Sequence, residues 1–326
     1  MRARSSPPLA ALVAARVAVV ALTLVALSAV IFWSTEVLPG DAAGVLSGAD
    51  ATPAEHGAVR HALGLDEPAT ARYFDWAVGV LHGDFGASLV SGREITPLVA
   101  ARLGNTLTIV AVSTAVIAVI AIIVGLVTGM RAGRAADRVL SSATMLVIAV
   151  PDFLLATLLL ALFASAIPLF PAVALVPLGD GIWQHPDVLV LPVAALVLGG
   201  VGGGMRMIRA AVVGVAGSPY IEYARLNGAH GTRLALSHVL PNALGPAVQA
   251  LAIMAAGLLG GGIVVETLFN VPGLGLQLSQ AVADRDVPMV QALGLVLGGC
   301  ALLVLFAGDL TAALLSRRLG VKTGIG

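Results

Sequence analysis

Residue types that commonly carry out chemistry are few in this sequence, and most are not spaced for it. The six histidines show no helical spacing with a nearby carboxylate that would bind a metal; they lie at positions 56, 61, 82, 185, 230 and 238. The only lysine, Lys322, follows Val321 rather than glycine, so the chain lacks a nucleotide-binding P-loop. No Gly-x-Ser-x-Gly motif supplies a nucleophile. We therefore predict no catalytic residue, no metal site and no cofactor bound by this chain.

Two carboxylates differ from the rest because they stand in or beside long apolar runs. Asp152 directly follows Pro151, and Glu266 lies at the end of another run. A charge in an apolar environment is costly unless a partner compensates it, so each residue is a functional hypothesis by default. The chemistry open to such a carboxylate is the binding of a cation such as an ammonium group, or a structural pairing.

The composition indicates that much of the surface faces lipid. Hydrophobic residues make up 58% of the 326 residues and charged residues only 11%, which is too little polar surface for a soluble protein of this size. The zero net charge argues against nucleic-acid binding. A bilayer-spanning helix needs about 20 apolar residues, and six runs qualify: 17–35, 105–130, 139–165, 188–205, 240–265 and 287–308. We predict an all-α, polytopic membrane protein with about six transmembrane helices, the third kinked at Pro151.

Charge alternates between the segments that join these runs. Arginines cluster before the first run, between the second and third, between the fourth and fifth, and after the sixth, whereas the other connections are acidic. The positive-inside rule then places both termini in the cytoplasm. The predicted domains are an N-terminal transmembrane helix, an extracytoplasmic module with helices at 53–64 and 67–82, a five-helix core that includes a cytoplasmic loop at 215–241, and a cytoplasmic tail; their bounds are 1–35, 36–104, 105–316 and 317–326.

A short helix is specified within the 215–241 loop. Ser218 is a good N-cap, Pro219 suits the first helical position, and Gly228 suits the left-handed residue after a helix end. These signals predict a helix of about nine residues, closed at both ends and too short to cross a bilayer. A surface connector and a mechanical element are both consistent with it.

The same segment resembles the EAA loop of ABC importer permeases, whose pattern is E-A-A-x3-G-x9-I-x-L-P. The matching positions are Glu222, Ala224, Gly228, Leu240 and Pro241. Tyr223 and His238 depart from the pattern, and we expect both to be packing positions. Further motifs follow the order found in B-type permeases of the dipeptide, oligopeptide and nickel group; they lie at 38–41, 63–66, 83–88, 105–107, 206–209, 266–275 and 286–288.

This resemblance implies a type I ABC importer permease fold with an extracytoplasmic insertion after helix one, in a bacterial plasma (cell inner) membrane. In that family the EAA loop forms a coupling helix that docks in a cleft of the ATPase; the residues implied here are Ser218, Glu222, Ala224, Arg225, Gly228 and Pro241. The implied partners are a homologous C-type permease, two ATPase subunits that bind ATP and Mg, an extracytoplasmic substrate-binding protein and membrane lipid. Peptides are the implied substrate, with nickel or a metal chelate as the alternative.

Within this interpretation, Asp152 is a candidate for lining the translocation pathway, where it would face a substrate ammonium, or for pairing with a neighbouring chain. Glu266 is a candidate for a gate-side position or for a hydrogen-bonded anchor of the turn that follows it. A membrane-embedded enzyme is the alternative from another class, but it needs a nucleophile and a base at matching depth. A passive channel or secondary carrier would not need a short, closed cytoplasmic helix.

Overall fold

A computed structural model describes residues 9–37, 47, 51–62, 65–177 and 179–318. The described chain is built from α-helices, with π-helical segments at Ala161–Ala166 and Ala235–Val239. The helices are α1 (Leu9–Val37), α2 (Pro53–Ala62), α3 (Ala69–Leu81), α4 (Ile95–Met130), α5 (Ala135–Ile148), α6 (Asp152–Leu160), α7 (Pro186–Ala216), α8 (Pro219–Leu226), α9 (Gly231–Leu234), α10 (Leu240–Leu268), α11 (Leu274–Ala283) and α12 (Val287–Arg318). The predicted motif at 38–41 and the predicted helix end at 63–64 lie outside the described residues.

Five of the six predicted spans are confirmed as long apolar helices. Among the described residues, five helices are long and apolar enough to cross a membrane, and a bent pair brings the number to as many as six. The five are 13–37, 95–130, 186–216, 231–268 and 287–315. Most extend beyond the apolar runs in the sequence because helical structure continues into the polar ends.

The third predicted span is broken rather than kinked. Helices α5 and α6 meet at 87°, with Ala149, Val150 and Pro151 between them. A proline lacks a backbone N–H and its ring clashes with the carbonyl four residues earlier, so a helix cannot continue regularly through it. The proline gives the position of the break, and the packing of the two halves gives its angle.

The chain divides into two compact units, and the first combines residues up to Thr106 with Pro272–Leu302. In this unit Phe32 of α1 is buried and stacks edge-on against Tyr73 of α3, while Ser28 and Tyr73 share a hydrogen bond of 3.0 Å. Helix α2 starts with a capping box in which the backbone N–H and hydroxyl of Thr52 both donate to Glu55 at 2.8 Å. These two bonds lower the pKa of Glu55 below its usual value.

The second unit comprises Leu107–Val271 and the chain from Leu303 onward. Its centre is α7, which packs along α10, α6 and α5. Glycines of α7 permit this close approach: a Cβ on Gly200 would lie 2.8 Å from Ile117 of α4, and one on Gly202 would lie 2.7 Å from Ile148 of α5. Because side chains at these positions would separate the helices, the glycine-rich stretch acts as a contact surface.

Candidate functional site

Helix α8 begins as the sequence predicts. Ser218 has the extended backbone of an N-cap (φ −76°, ψ 149°), and Pro219 is the first helical residue. The Ser218 carbonyl accepts the backbone N–H of Ile221 at 3.0 Å, although the Ser218 side chain makes no capping hydrogen bond. The helix runs for eight residues, about 12 Å at 1.5 Å per residue. It is therefore far too short to cross a bilayer.

The C-terminal end of α8 is closed by a Schellman motif. The N–H of Ala229 donates to the Ala224 carbonyl at 3.1 Å, and the N–H of Gly228 donates to the Arg225 carbonyl at 3.0 Å. Gly228 has φ +88°, as the left-handed position requires. A Cβ at this position would meet no atom within 4 Å, so backbone conformation, not space, selects glycine here.

One face of α8 is packed and the other is exposed. Ile221 and Ala224, three residues apart, are buried against the chain, and burial of the Ile221 side chain contributes about 2 kcal/mol. On the opposite side Tyr223 is 69% exposed and Leu226 is 82% exposed, with Glu222 and Arg225 also exposed beside them. The expectation that Tyr223 is a packing position within the chain is therefore wrong.

The chain continues from α8 into the long span α10 through α9 and a π-helical segment. His238, in the π-helical segment Ala235–Val239, stacks on Tyr220 of α8 with ring centroids 6.2 Å apart. Pro241 is half-buried at the start of α10. The wider π turn directly before Pro241 relieves the clash that its ring would make in a regular helix. The packing role expected for His238 is confirmed.

The structure places Asp152 at the break between α5 and α6, as the first residue of α6. Its carboxylate lies against two glycines: a Cβ on Gly199 of α7 would clash with it, and a Cβ on Gly261 of α10 would lie 3.6 Å from Oδ2. Within the described part of the chain the carboxylate forms no hydrogen bond or ion pair, and the residue is exposed. Three helices thus meet around one charged group.

Glu266 lies near the end of α10 and is 1% exposed. The backbone carbonyl of Glu266 accepts the N–H of Val271 at 2.9 Å. This bond closes the helix end, with Asn270 in the left-handed conformation (φ 52°). The Phe269 carbonyl in turn accepts the N–H of Ala174 at 2.9 Å. Glu266 is therefore part of a turn held by backbone hydrogen bonds. It lies near the C-terminal end of α10, whereas α8 precedes the N-terminal end of α10 in the chain.

The second unit contains an ion pair around the buried Asp137 that was not predicted from the sequence. Arg209 of α7 donates to both carboxylate oxygens of Asp137 in α5, through Nε at 2.6 Å and Nη2 at 2.7 Å. The backbone N–H of Gly133 and the Ser141 hydroxyl also donate to Asp137, at 2.8 and 3.2 Å. The signal was present, since Asp137 is the one acid in an arginine-rich segment, but the pairing requires the packing of α5 on α7.

The first unit brings together motif residues that are distant in the sequence. Ser88 donates to the buried Asp286 carboxylate, 198 residues further along, and the N–H of Leu89 donates to the same group at 3.1 Å. The Asn105 amide donates to the Pro272 carbonyl at 2.9 Å, and the N–H of Leu274 donates to the Thr106 hydroxyl at 2.8 Å. These motifs therefore serve as tertiary contacts.

The fold and the site define a class: a polytopic helical membrane protein that exposes a short, closed helix between two of its spans. Within the described residues, no group of three histidine, cysteine, aspartate or glutamate side chains is arranged to hold a metal ion. Residues 119–321 match the family described as binding-protein-dependent transport system inner membrane component, and residues 9–110 match its N-terminal family.

The chain belongs to this family of inner membrane transport components, and the resemblance seen in the sequence is confirmed. It is 34% identical to a glutathione transport system permease protein of Salmonella choleraesuis, over 83% of this chain and 86% of the relative. It is 32% identical to a putative peptide permease protein of Brucella ovis, over 91% and 95%. A probable peptide ABC transporter permease of Sinorhizobium fredii is 28% identical, over 89% and 92%.

Proposed function

We propose that this permease forms the pathway through which an ATP-driven importer carries peptides across the membrane, and that α8 couples it to separate ATPase subunits. Membership of the family supports the transport role. The similar proteins are described as peptide and glutathione permeases, which supports peptides as the substrate class. The single observation that carries the coupling role is the exposed face of a helix that is otherwise anchored by its own chain.

The chemistry of that face suits a protein partner. Large side chains such as Tyr223 and Leu226 are costly to leave in water, and an apolar patch with charged neighbours is typical of a docking surface. Glu222 and Arg225 add one charge of each sign, which gives the contact a preferred orientation. Ser218, Ala224, Gly228 and Pro241 contribute indirectly, by capping, packing and orienting the helix.

The energy source and the remaining components lie in other chains. This chain has no P-loop, so ATP and Mg are bound by two partner ATPases, with a homologous C-type permease beside this subunit and a substrate-binding protein outside the membrane. Connections rich in arginine remain on the cytoplasmic side of the membrane, by the positive-inside rule. Both termini and α8 belong to arginine-rich segments, so all three face the cytoplasm. The acidic segment 36–104 then faces the binding protein.

The proposed pathway includes Asp152. An exposed carboxylate at a helix break, with no partner in the described chain and with glycine backbones on two sides, is available to a ligand. A peptide carries an ammonium group that such a carboxylate attracts. Glu266, buried at the far end of α10 from α8, is the gate-side candidate.

Leu226→Glu tests the coupling role. The substitution places a charge at the centre of the proposed apolar contact between α8 and the ATPase. Loss of such a central contact weakens binding by about 2 kcal/mol or more, so coupled peptide uptake is expected to fall by roughly tenfold or more. The measurement uses the transporter reconstituted in liposomes with its partner subunits and records peptide uptake, ATP hydrolysis and copurification of the ATPase. Because Leu226 is so exposed, the thermal unfolding of the isolated permease should not change.

Leu175→Glu is the matched control, because Leu175 is 79% exposed in an irregular segment remote from α8 in the sequence. This variant should retain the ATPase and transport normally. Full coupled uptake by Leu226→Glu, with a normal amount of ATPase bound, would refute the coupling role of α8.

A further inference from the structure

A basic cleft lies between the first turns of α5 and the last third of α7. Its volume is about 590 Å³, and its lining includes Arg138, Arg206, Ser142, Met145 and Met207, with the Asp137–Arg209 ion pair at its side. The cleft belongs entirely to the second unit. Neither the coupling role of α8 nor the pathway role of Asp152 uses these residues.

The cleft carries an excess of positive charge. The Asp137 carboxylate is already satisfied by the bidentate Arg209 contact and two further donors, so its charge is compensated. Arg138 and Arg206 are both exposed, and no carboxylate in the described part of the chain pairs with either. Two arginines therefore remain free to bind an anion, and the planar guanidinium matches the geometry of a phosphate.

The cleft also has an apolar side that continues along the helix. Met145 is 56% exposed, and Val139 and Leu146 of α5 are large apolar side chains that are exposed as well. About 20 helical residues cross the hydrocarbon core, and 20 residues counted from Val188, near the start of α7, end at Met207. Arg206, and with it the cleft that Arg138 also lines, therefore lies at the depth where hydrocarbon gives way to headgroups.

We infer that this cleft binds the phosphate headgroup of an anionic phospholipid, with an acyl chain lying along Met145 and Met207. Two uncompensated arginines beside a serine hydroxyl bind the phosphate, and the apolar wall distinguishes a lipid from a soluble anion. Basic pockets between transmembrane helices at the membrane surface suit this type of ligand. A soluble acidic segment would match only the charge, whereas an anionic lipid matches both the charge and the apolar surface of α5 at membrane depth.

The full chain, purified in a zwitterionic detergent, provides the test. Binding of dihexanoyl phosphatidylglycerol is compared with binding of dihexanoyl phosphatidylcholine and of inorganic phosphate, by native mass spectrometry and by the shift in thermal unfolding. We expect the anionic lipid to bind on the order of tenfold more tightly than the zwitterionic one, and the doubly substituted Arg138→Gln/Arg206→Gln variant to lose this preference.

The matched control is Arg131→Gln/Arg134→Gln, which removes the same charge from the neighbouring turn outside the cleft and should keep the preference. Equal loss in both variants would reveal diffuse surface charge and overturn the site. Inorganic phosphate that displaces the lipid at equal concentration would show a site for soluble anions, and loss of lipid binding on assembly with the partner subunits would show a protein contact; either result overturns the proposal. If Arg138→Gln/Arg206→Gln does not fold, Ser142→Asp, which adds a negative charge in the cleft, should abolish the preference in its place.

Discussion

At the scale of single residues, the contact between Asp152 and Gly199 shows how this chain accommodates a charge among apolar helices. The absence of a side chain at position 199 leaves the space that the carboxylate occupies. Gly203, one turn further along α7, has no atom within 4 Å of a Cβ built on it. Two glycines of one helix therefore have different roles, and only one of them makes room for Asp152.

Gly199→Ala is expected to lower the stability of the permease by about 1 kcal/mol, the low end of the cost of overpacking, because its Cβ meets the end of the short, exposed Asp152 side chain. Gly203→Ala should be neutral. Truncation of the carboxylate in Gly199→Ala/Asp152→Ala should restore stability, measured by thermal unfolding, but not peptide uptake. Asp152→Asn keeps the shape and removes the charge, so unchanged uptake and substrate preference in this variant would end the pathway role of Asp152.

At the scale of the element, four helix ends in the described part of the chain are closed in the same way with different residues. The left-handed position after the helix is Gly83 at α3, Gly228 at α8, Asn270 at α10 and Arg285 at α11, with φ of 81°, 88°, 52° and 55°. In each case the next N–H returns to a carbonyl five residues earlier, at 2.9–3.1 Å. The conformation is therefore required at all four ends, and glycine is the least strained way to achieve it.

Gly228→Val should loosen the end of α8, because a β-branched residue is strongly disfavoured at positive φ. Gly228→Asn is the matched variant, since asparagine adopts this conformation at position 270. We expect Gly228→Val to reduce peptide-stimulated ATP hydrolysis and uptake severalfold, while Gly228→Asn retains most of both. Equal activity of the two variants in reconstituted liposomes would mean that the closed end of α8 has no part in coupling.

Local signals in the sequence predicted the bounds of α8 well, and they predicted distant contacts poorly. The start of α8 at Pro219 and its end before Gly228 follow from residue types a few positions apart. The Asp137–Arg209 and Ser88–Asp286 contacts join residues 72 and 198 positions apart, so they depend on helix packing that no local pattern encodes. The prediction for Tyr223 was wrong because the EAA pattern shows only that this residue differs from the usual alanine. It does not show whether the side chain faces the rest of the chain or the surface.

At the scale of the whole molecule, the distribution of arginine predicts the orientation in the membrane. The arginine-rich turn at 131–134, between α4 and α5, and the segment 83–94, between α3 and α4, are separated by the span Ile95–Met130. If that span crosses the bilayer, the two connections face opposite sides. The proposed orientation places 131–134 in the cytoplasm and 83–94 outside.

Cysteine labelling tests this orientation, because Cys300 is the only native cysteine. In a Cys300→Ala background, Ser91→Cys should react with a membrane-impermeant maleimide in intact spheroplasts, and Ala132→Cys only after the membrane is permeabilised. Both positions are exposed, so the accessible side alone should decide the outcome. Labelling of Ala132→Cys from outside, with Ser91→Cys protected, would invert the topology.

The continuous helical path that follows α8 has a geometric consequence. From Gly231 to Leu268 it counts 38 residues, which is about 57 Å at 1.5 Å per residue. Moving as one rod, a path of that length turns a pivot of about 5° into a shift of about 5 Å at its far end. A tilt of this helical path that moves the atoms near Tyr220 and His238 very little would thus displace the surroundings of Glu266 by about the width of a side chain.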